Sequence, residues 1–446
     1  MKRILVIGAG RSASDLIAYL LKHAEKENWQ LTVVDQDEQL ARSKVKSHPR
    51  AEVASFDAMN PERRKERILQ ADLVVSFLPA HLHQKVAEDC LELGKHLVTA
   101  SYLTPELEAM QNAVAAKGLT FLCELGADPG IDHMSAMRAI DDIRAQGGQL
   151  HAFRSYCGAL IAPESNDNPL GYKFTWSPMN LIVAGRGTAR YIEKGRLRYI
   201  PYQRLFHTTD LIEVPDEGTF ESYANRDSLS YRKRYGLEDV PTMYRATLRN
   251  PGFCEVWQAL VQIGLTDPSY QITDSASLTY AEWLASYLPP ADHLPVKERL
   301  ATFLSLKEDE SVIKTLEWIG LLSDRPITRE AGSPAEILLD VLMDKLVFRE
   351  EDTDMLVMVD HFDYEKDGKT YRRISSLVSK GLDPVHTAIS RTVGLPAAIG
   401  ARLILTGEID RRGVMIPVHP QIYRPILDEL ESLGIGFIET DVLMDE

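Results

Sequence analysis

After Met1 come two cationic residues, then four consecutive aliphatic residues at 4–7, then Gly8-Ala9-Gly10-Arg11-Ser12-Ala13. Beyond this turn Leu16, Ile17, Tyr19, Leu20 and Leu21 recur at helical spacing. A short unbroken apolar run reads as a strand buried on both faces, and three- to four-residue spacing as an amphipathic helix. A strand, a tight turn and a helix are therefore predicted over the first twenty-odd residues. The alternation continues with residues 31–34 ending in Asp35, residues 73–79 and residues 96–101 as further strands, with helical segments between them. Strands alternating with helices predict an α/β protein built on a Rossmann-type, doubly wound parallel sheet.

The pattern changes in the second half. Val256, Trp257, Leu260, Val261 and Ile263, then Ala281, Trp283, Leu284 and Leu288, keep helical spacing and predict a helical stretch over about 253–346. Residues 354–362 and 369–374 flank Lys366-Asp367-Gly368, the signature of a hairpin. A helix rich in small residues is expected over 386–401. No internal repeat or low-complexity linker interrupts this order.

Composition narrows the class. At 446 residues, 44% hydrophobic and 26% charged, the chain is long enough for two or three domains and ordinary for a soluble globular protein. Its net charge of -15 disfavours nucleic acid and anionic membrane surfaces as partners, so an anionic ligand must be caught by cations placed locally. The four cysteines are far apart and form no CxxC pair, which suggests neither a metal site nor a disulfide framework and suits a reducing, cytoplasmic setting. No uninterrupted apolar run reaches the roughly 18 residues of a membrane span. The basic-then-apolar start is broken too early by glycines and Asp15 for a signal peptide.

The candidate chemistry begins at the first turn. Gly8 permits the tight turn, Gly10 lets the backbone approach a pyrophosphate, and small Ala13 lets the helix pack closely, with Ala9 and Ser12 completing the loop. The helix N-terminus would then receive phosphate charge. Glycine-rich strand ends also occur in α/β proteins that bind no nucleotide, but Asp35 stands where an acidic residue should meet an adenosine ribose. Its carboxylate would repel a 2′-phosphate and no arginine follows it, so NAD is expected over NADP; Gln39 joins it in the cofactor set. The bland alternative for Asp35 is a solvated strand end. Asp57 and Leu78 fall at further strand ends, where open α/β sheets bind ligands; Asp57 could instead cap a helix starting near Pro61.

A strand at 120–122 enters Cys123-Glu124-Leu125-Gly126-Ala127-Asp128-Pro129-Gly130-Ile131-Asp132-His133-Met134, a polar turn running into a helix. Asp128, before proline, is held out of the helical region and could present its carboxylate to a ligand. His133 reads as a hydrogen-bonded packing residue. This turn, with Ala100-Ser101-Tyr102, the stretches 155–164 and 167–178, and Asn225-Arg226-Asp227-Ser228, resembles the glutamate-forming saccharopine dehydrogenases over most of the chain. One departure is Gly158-Ala159-Leu160-Ile161, where members of that family commonly carry Gly-Gly-Leu-Pro.

The resemblance implies an oxidoreductase that cleaves saccharopine, with NAD and water, to L-glutamate and 2-aminoadipate 6-semialdehyde. It implies that Ala100, Ser101 and Ala127 touch the cofactor. Ser101 and Tyr102 would meet the substrate beside the nicotinamide, and Asp128 would bind its ammonium group. Arg226 and Arg249, helped by Thr247 and Leu248, would hold substrate carboxylates, while exposed ion-pair roles are the alternative for both arginines. Asp128, Tyr102 and Cys157 are the candidate acid-base groups, and Cys157 reads equally as a packing residue. By the same resemblance residues 1–125 and 385–446 form the dinucleotide domain, 126–252 and 347–384 a second α/β substrate domain, and 253–346 a helical insertion. A homodimer is a further expectation. The rivals are a related enzyme acting on another amine-carboxylate conjugate such as carboxynorspermidine, and a silent sensor of NAD and a ligand.

Overall fold

The computed structural model describes residues 1–291 and 293–444. The chain divides into two compact units: Met1–His151 together with the chain from Met358 onward, and Ala152–Val357. This division differs from the expected one. Segments 126–151 and 358–384 pack with the first unit, and the helical stretch 253–346 does not separate from the rest of the second.

The first unit is built on six parallel strands: β1 (Lys2–Ile7), β2 (Trp29–Asp35), β3 (Ala51–Ser55), β4 (Leu73–Ser76), β5 (His96–Thr99) and β6 (Thr120–Leu122). Their order is 6-5-4-1-2-3, with the short strand Gly413–Met415 added beyond β6. The apolar run at 4–7 is buried as read, each side chain contributing about 1.5–3 kcal/mol relative to exposure. Because all strands run one way, the residues after β1, β2, β4, β5 and β6 gather along a single edge. The order reverses between β1 and β4, the place where such sheets bind ligands.

Helix Ser14–Ala24 follows the glycine loop and packs on helix Ala388–Thr406. At their contact a Cβ on Gly394 would lie 2.8 Å from the Leu16 backbone nitrogen and 3.0 Å from the Ser12 carbonyl oxygen, so a bare backbone is needed there. The helix Ala388–Thr406 is long and apolar enough to cross a membrane by composition, but 78% of that stretch is buried within the protein. The expected hairpin is present, Asp354–Lys366 with Lys369–Lys380. Its Asp367 and Gly368 both have positive φ (52° and 71°), as a two-residue turn of the primed type requires.

The second unit holds a mixed sheet of β7 (Gln149–Ile161), β8 (Ala189–Glu193), β9 (Arg196–Ile200), β10 (Thr209–Val214), β11 (Gly218–Ala224) and β12 (Thr242–Arg249). β12 runs parallel to β7 and antiparallel to β11, which pairs in turn with β10; β8 and β9 form a hairpin attached at Met243. β7 runs unbroken through the Gly158–Ile161 departure. The predicted helical stretch consists of Phe253–Ile263, Tyr280–Ala285, Val296–Leu304, Ser311–Ile319 and Pro334–Met343. Two of these helices start at reciprocal capping boxes, Thr279 with Glu282 and Ser333 with Glu336, which fix where they begin.

Candidate active site

The glycine loop takes the shape its residues require. Gly8 has φ +105°, and a Cβ there would lie 2.4 Å from the Phe77 carbonyl oxygen, so no side chain fits between β1 and the end of β4. A Cβ on Gly10 would meet nothing within 4 Å, so the loop leaves its outer face open to a close-approaching group. A 3-10 turn, Arg11–Ala13, leads directly into helix Ser14–Ala24, with Ala13 fully buried beneath. Lys44 donates from Nζ to Ser14 Oγ at 2.6 Å, which brings a cation to the start of that helix. This loop and helix end fit the diphosphate of a dinucleotide.

Asp35 does something the sequence did not reveal. Its Oδ2 accepts from the Ala9 backbone N–H at 2.8 Å and its Oδ1 from the Asp37 N–H at 3.1 Å, so the carboxylate braces the glycine loop. Gln39 is exposed in the first turn of helix Glu38–Val45, its backbone N–H capped by Asp37 at 2.9 Å. Asp57 is exposed and accepts from the Met59 N–H at 2.8 Å; the residue that caps the helix at Pro61 is Asn60. Replacing Asp35 by alanine frees two backbone donors and is expected to weaken dinucleotide binding about tenfold, the worth of one hydrogen bond. Fluorescence titration checks this, and an unchanged dissociation constant would show the brace to be idle.

Leu78, Ala100, Ser101 and Ala127 lie along the same edge, after β4, β5 and β6. The turn 121–130 is buried throughout except at Asp128, whose Oδ1 accepts from the Tyr102 hydroxyl at 3.1 Å; Tyr102 itself is 46% exposed. Beneath them a buried array fixes the backbone. Glu124 accepts from the Leu103 N–H (2.8 Å) and pairs with His133 Nε2 (2.7 Å), and Asp132 accepts from the Gly130 N–H (2.6 Å). Gly130 has φ +148°, and a Cβ there would sit 2.1 Å from the Gly126 carbonyl oxygen, so glycine is obligatory. His133 is thus the packing residue it was expected to be.

Sequence reading missed His83. It opens helix His83–Leu93, is buried, and lies between Ser76, Thr99 and Ser101. Burial pushes its imidazole down to about 4 despite a hydrogen bond to the Leu78 backbone. An imidazole of ordinary value near 6.5 in the unfolded chain takes up a proton more readily than the folded one does. The stability it contributes is therefore present above pH 6.5 and is lost as pH falls toward 4. On the order of 3 kcal/mol is at stake. Urea unfolding at stepped pH should show this loss, reduced in His83→Gln; equal pH dependence of both proteins would contradict it. The only hint in the sequence was a histidine five residues after Leu78, indistinguishable there from any helix-starting residue.

In the second unit, Arg249 ends β12 and is 3% exposed. Its guanidinium lies 5.5, 5.6 and 5.3 Å from the ring centres of Tyr172, Tyr223 and Phe253, and donates to the Leu248 carbonyl (2.8 Å) and the Tyr223 hydroxyl (3.2 Å). Among the described residues its Nε has no partner. Arg226 is exposed, and neighbouring Asp227 is committed to Arg190 at 2.7 Å. Among the described residues neither Arg226 nor Arg249 forms an ion pair, in a protein with 15 more acidic than basic residues. The register pairs Ala224 with Ala246 and Glu221 with Arg249. Arg226 thus stands level with residue 244, five positions from Arg249, roughly 17 Å along the sheet. Thr247 donates to Asn225 Oδ1 at 2.6 Å, Leu248 is buried, and buried Cys157 stands beside Thr247 in the register of β7 and β12. The aromatic cage, Tyr172, Tyr223 and Phe253, was not foreseen, because its members come from three separate segments.

Residues 4–122 match the model described as the saccharopine dehydrogenase NADP binding domain, and residues 126–435 the saccharopine dehydrogenase C-terminal domain. The chain is 30% identical, over the full length of both, to the saccharopine dehydrogenase [NADP(+), L-glutamate-forming] of Schizosaccharomyces pombe. It is 34% identical to the mitochondrial alpha-aminoadipic semialdehyde synthase of Bos taurus, over 98% of this chain and 47% of that one. Its fold matches apo saccharopine dehydrogenase (L-Glu forming) of Saccharomyces cerevisiae with a TM-score of 0.89 at 31% identity, covering 99% of this chain and all of the other. These names overturn the expectation of NAD over NADP: the matched domain is described as binding NADP and the fungal relatives are named for NADP(+). The inference from Asp35 failed because a strand-end carboxylate can also serve the loop itself, as its bonds from the Ala9 and Asp37 amides show. From its first strand to its last helix, the chain belongs to the saccharopine dehydrogenase family.

Proposed function

We propose that this protein oxidises saccharopine with NADP+ and water, forming L-glutamate and 2-aminoadipate 6-semialdehyde. The observation that carries the reading is full-length likeness to the L-Glu-forming yeast enzyme, in sequence and in fold together. The fungal relatives are named saccharopine dehydrogenase, which lends nothing to a carboxynorspermidine enzyme or a silent sensor. When bound, the dinucleotide takes the hydride from the carbon beside the secondary amine. Gly8, Gly10 and the helix after them receive its diphosphate. Arg11, Lys44 and Lys46 supply positive charge for the extra phosphate; burial lowers the Lys44 ammonium, opposed by Asp15 and reinforced to a smaller degree by Arg11 and Lys46.

The substrate is an amine with three carboxylates, which calls for cations and for one anionic partner at its ammonium. In this reading Arg226 and Arg249 take carboxylates, and Asp128 takes the ammonium. The hydroxyl of Tyr102, donating to Asp128, places the group best able to move a proton as water adds to the imine. Cys157, buried within a sheet, packs beside Thr247. Purified protein given saccharopine and NADP+ should produce reduced-nicotinamide absorbance and equal amounts of glutamate; no reduction with saccharopine would sink the reading. A cytoplasmic location and a homodimer belong to the same proposal, and light scattering tests the second.

A further inference from the structure

We propose that His83 is a positioning residue for this reaction: its imidazole fixes the hydroxyl of Ser101 at the carboxyl end of β5, where cofactor and substrate meet. The inference rests on the reading above, in which Ser101 stands at that junction.

Ser76 and Thr99 are the last residues of β4 and β5 and face each other in register. The imidazole of His83 lies against both hydroxyls, with Ser76 Oγ 2.9 Å and Thr99 Oγ1 3.3 Å from Nδ1, and places Nε2 2.6 Å from Ser101 Oγ. A neutral ring accepts at one nitrogen and donates at the other, and hydroxyl groups adapt to either arrangement, so every member of the network is satisfied. Ser76, Thr99 and His83 are 1%, 0% and 3% exposed, whereas Ser101 is partly exposed. Three polar side chains have been buried where aliphatic ones would pack at lower cost, and among the described residues their shared outlet is the Ser101 hydroxyl at the sheet edge.

The backbone of Ser101 is already held. Its N–H donates to Thr99 Oγ1 (3.2 Å), and its carbonyl accepts from the Glu124 N–H (3.1 Å). The freedom left is rotation of the hydroxyl, and His83 removes it. The inner end of the network is two buried hydroxyls, which suits an array that anchors Ser101 rather than one that carries protons away. Such support of a contacting group is what keeps reacting atoms in alignment, and its loss shows in turnover more than in binding.

A double-mutant cycle tests this. His83→Asn keeps a polar group on the Ser76 side but cannot reach Ser101, whereas the longer His83→Gln can. His83→Asn should lower kcat about tenfold, the worth of one hydrogen bond, while the KM for saccharopine and the Kd for NADPH move less than about twofold. His83→Gln should recover most of that loss. Ser101→Ala should also lose kcat, and the pair His83→Asn with Ser101→Ala should be no worse than Ser101→Ala alone. A wild-type kcat in His83→Asn, or losses that multiply in the pair, overturns the proposal while leaving the role of Ser101 standing. Unchanged constants in Ser101→Ala overturn the placement of Ser101 itself. If His83→Asn fails to fold, Ser76→Ala takes its place: it keeps the ring, removes the shorter of the two contacts at Nδ1 and should lower kcat about threefold, and no change there overturns the proposal equally.

Discussion

Replacing Arg249 by methionine is expected to raise the KM for saccharopine by about 30-fold or more, with NADPH binding unchanged and the folded protein no less stable. The argument is electrostatic. A guanidinium 3% exposed among three aromatic rings has lost most of its hydration, and the rings, one carbonyl and one hydroxyl return only part of it. Among the described residues no carboxylate completes the charge, and Nε is unpartnered. A carboxylate of the substrate would supply what is missing, so removing the cation should cost roughly 2–5 kcal/mol of binding. That range spans about 30-fold to several thousand-fold. Methionine fills similar space without charge, so the empty protein should keep or gain stability. Arg249→Lys keeps the charge but loses the planar fork and should remain impaired. A normal KM together with a lowered melting temperature would show that Arg249 holds the sheet rather than the substrate.

Lys173→Met should have the largest effect on stability, about 3–5 kcal/mol, with little change in kcat or KM. Lys173 is 2% exposed and donates from Nζ to Asp352 Oδ1 at 2.6 Å, with half-exposed Asp167 at 3.0 Å. Lys173 holds the Asp167 carboxyl below the ordinary range by a hydrogen bond that outweighs desolvation. Taking the ammonium away strands the buried Asp352 carboxylate, whose remaining partner is the Arg349 backbone N–H at 2.7 Å. An uncompensated buried charge is what makes such a truncation costly. The double variant Lys173→Met with Asp352→Asn should recover more than half of the loss. Urea unfolding of the two variants decides it: a double variant as unstable as the single one would mean that packing of the lysine stem, not the stranded charge, carries the effect.

The arginine and lysine pairs show how unevenly the site could be read in the sequence. Lys173 lies in the stretch that carries much of the family resemblance, yet nothing in its neighbours announced a partner 179 residues away. His83 reaches Ser101 across 18 residues, and Tyr102 reaches Asp128 across 26, so each pair exists only once neighbouring strands are aligned. Asp35 misled for the same reason. A strand-end carboxylate looks alike in the sequence whether it faces a ribose or turns back onto Ala9.

What the residues determined alone was local. The aliphatic run before Gly8, the spacing of the following helix, the Asp367-Gly368 turn and the capping boxes at Thr279 and Ser333 each depend on a few adjacent side chains and on backbone preferences. The order of strands, the edge on which Gly8, Ser101 and Asp128 collect, the neutral state of His83 and the caging of Arg249 were decided by tertiary structure. These are consequences of burial and of contacts between distant segments, and the free energy of a polar group depends on who its neighbours are once water has been removed.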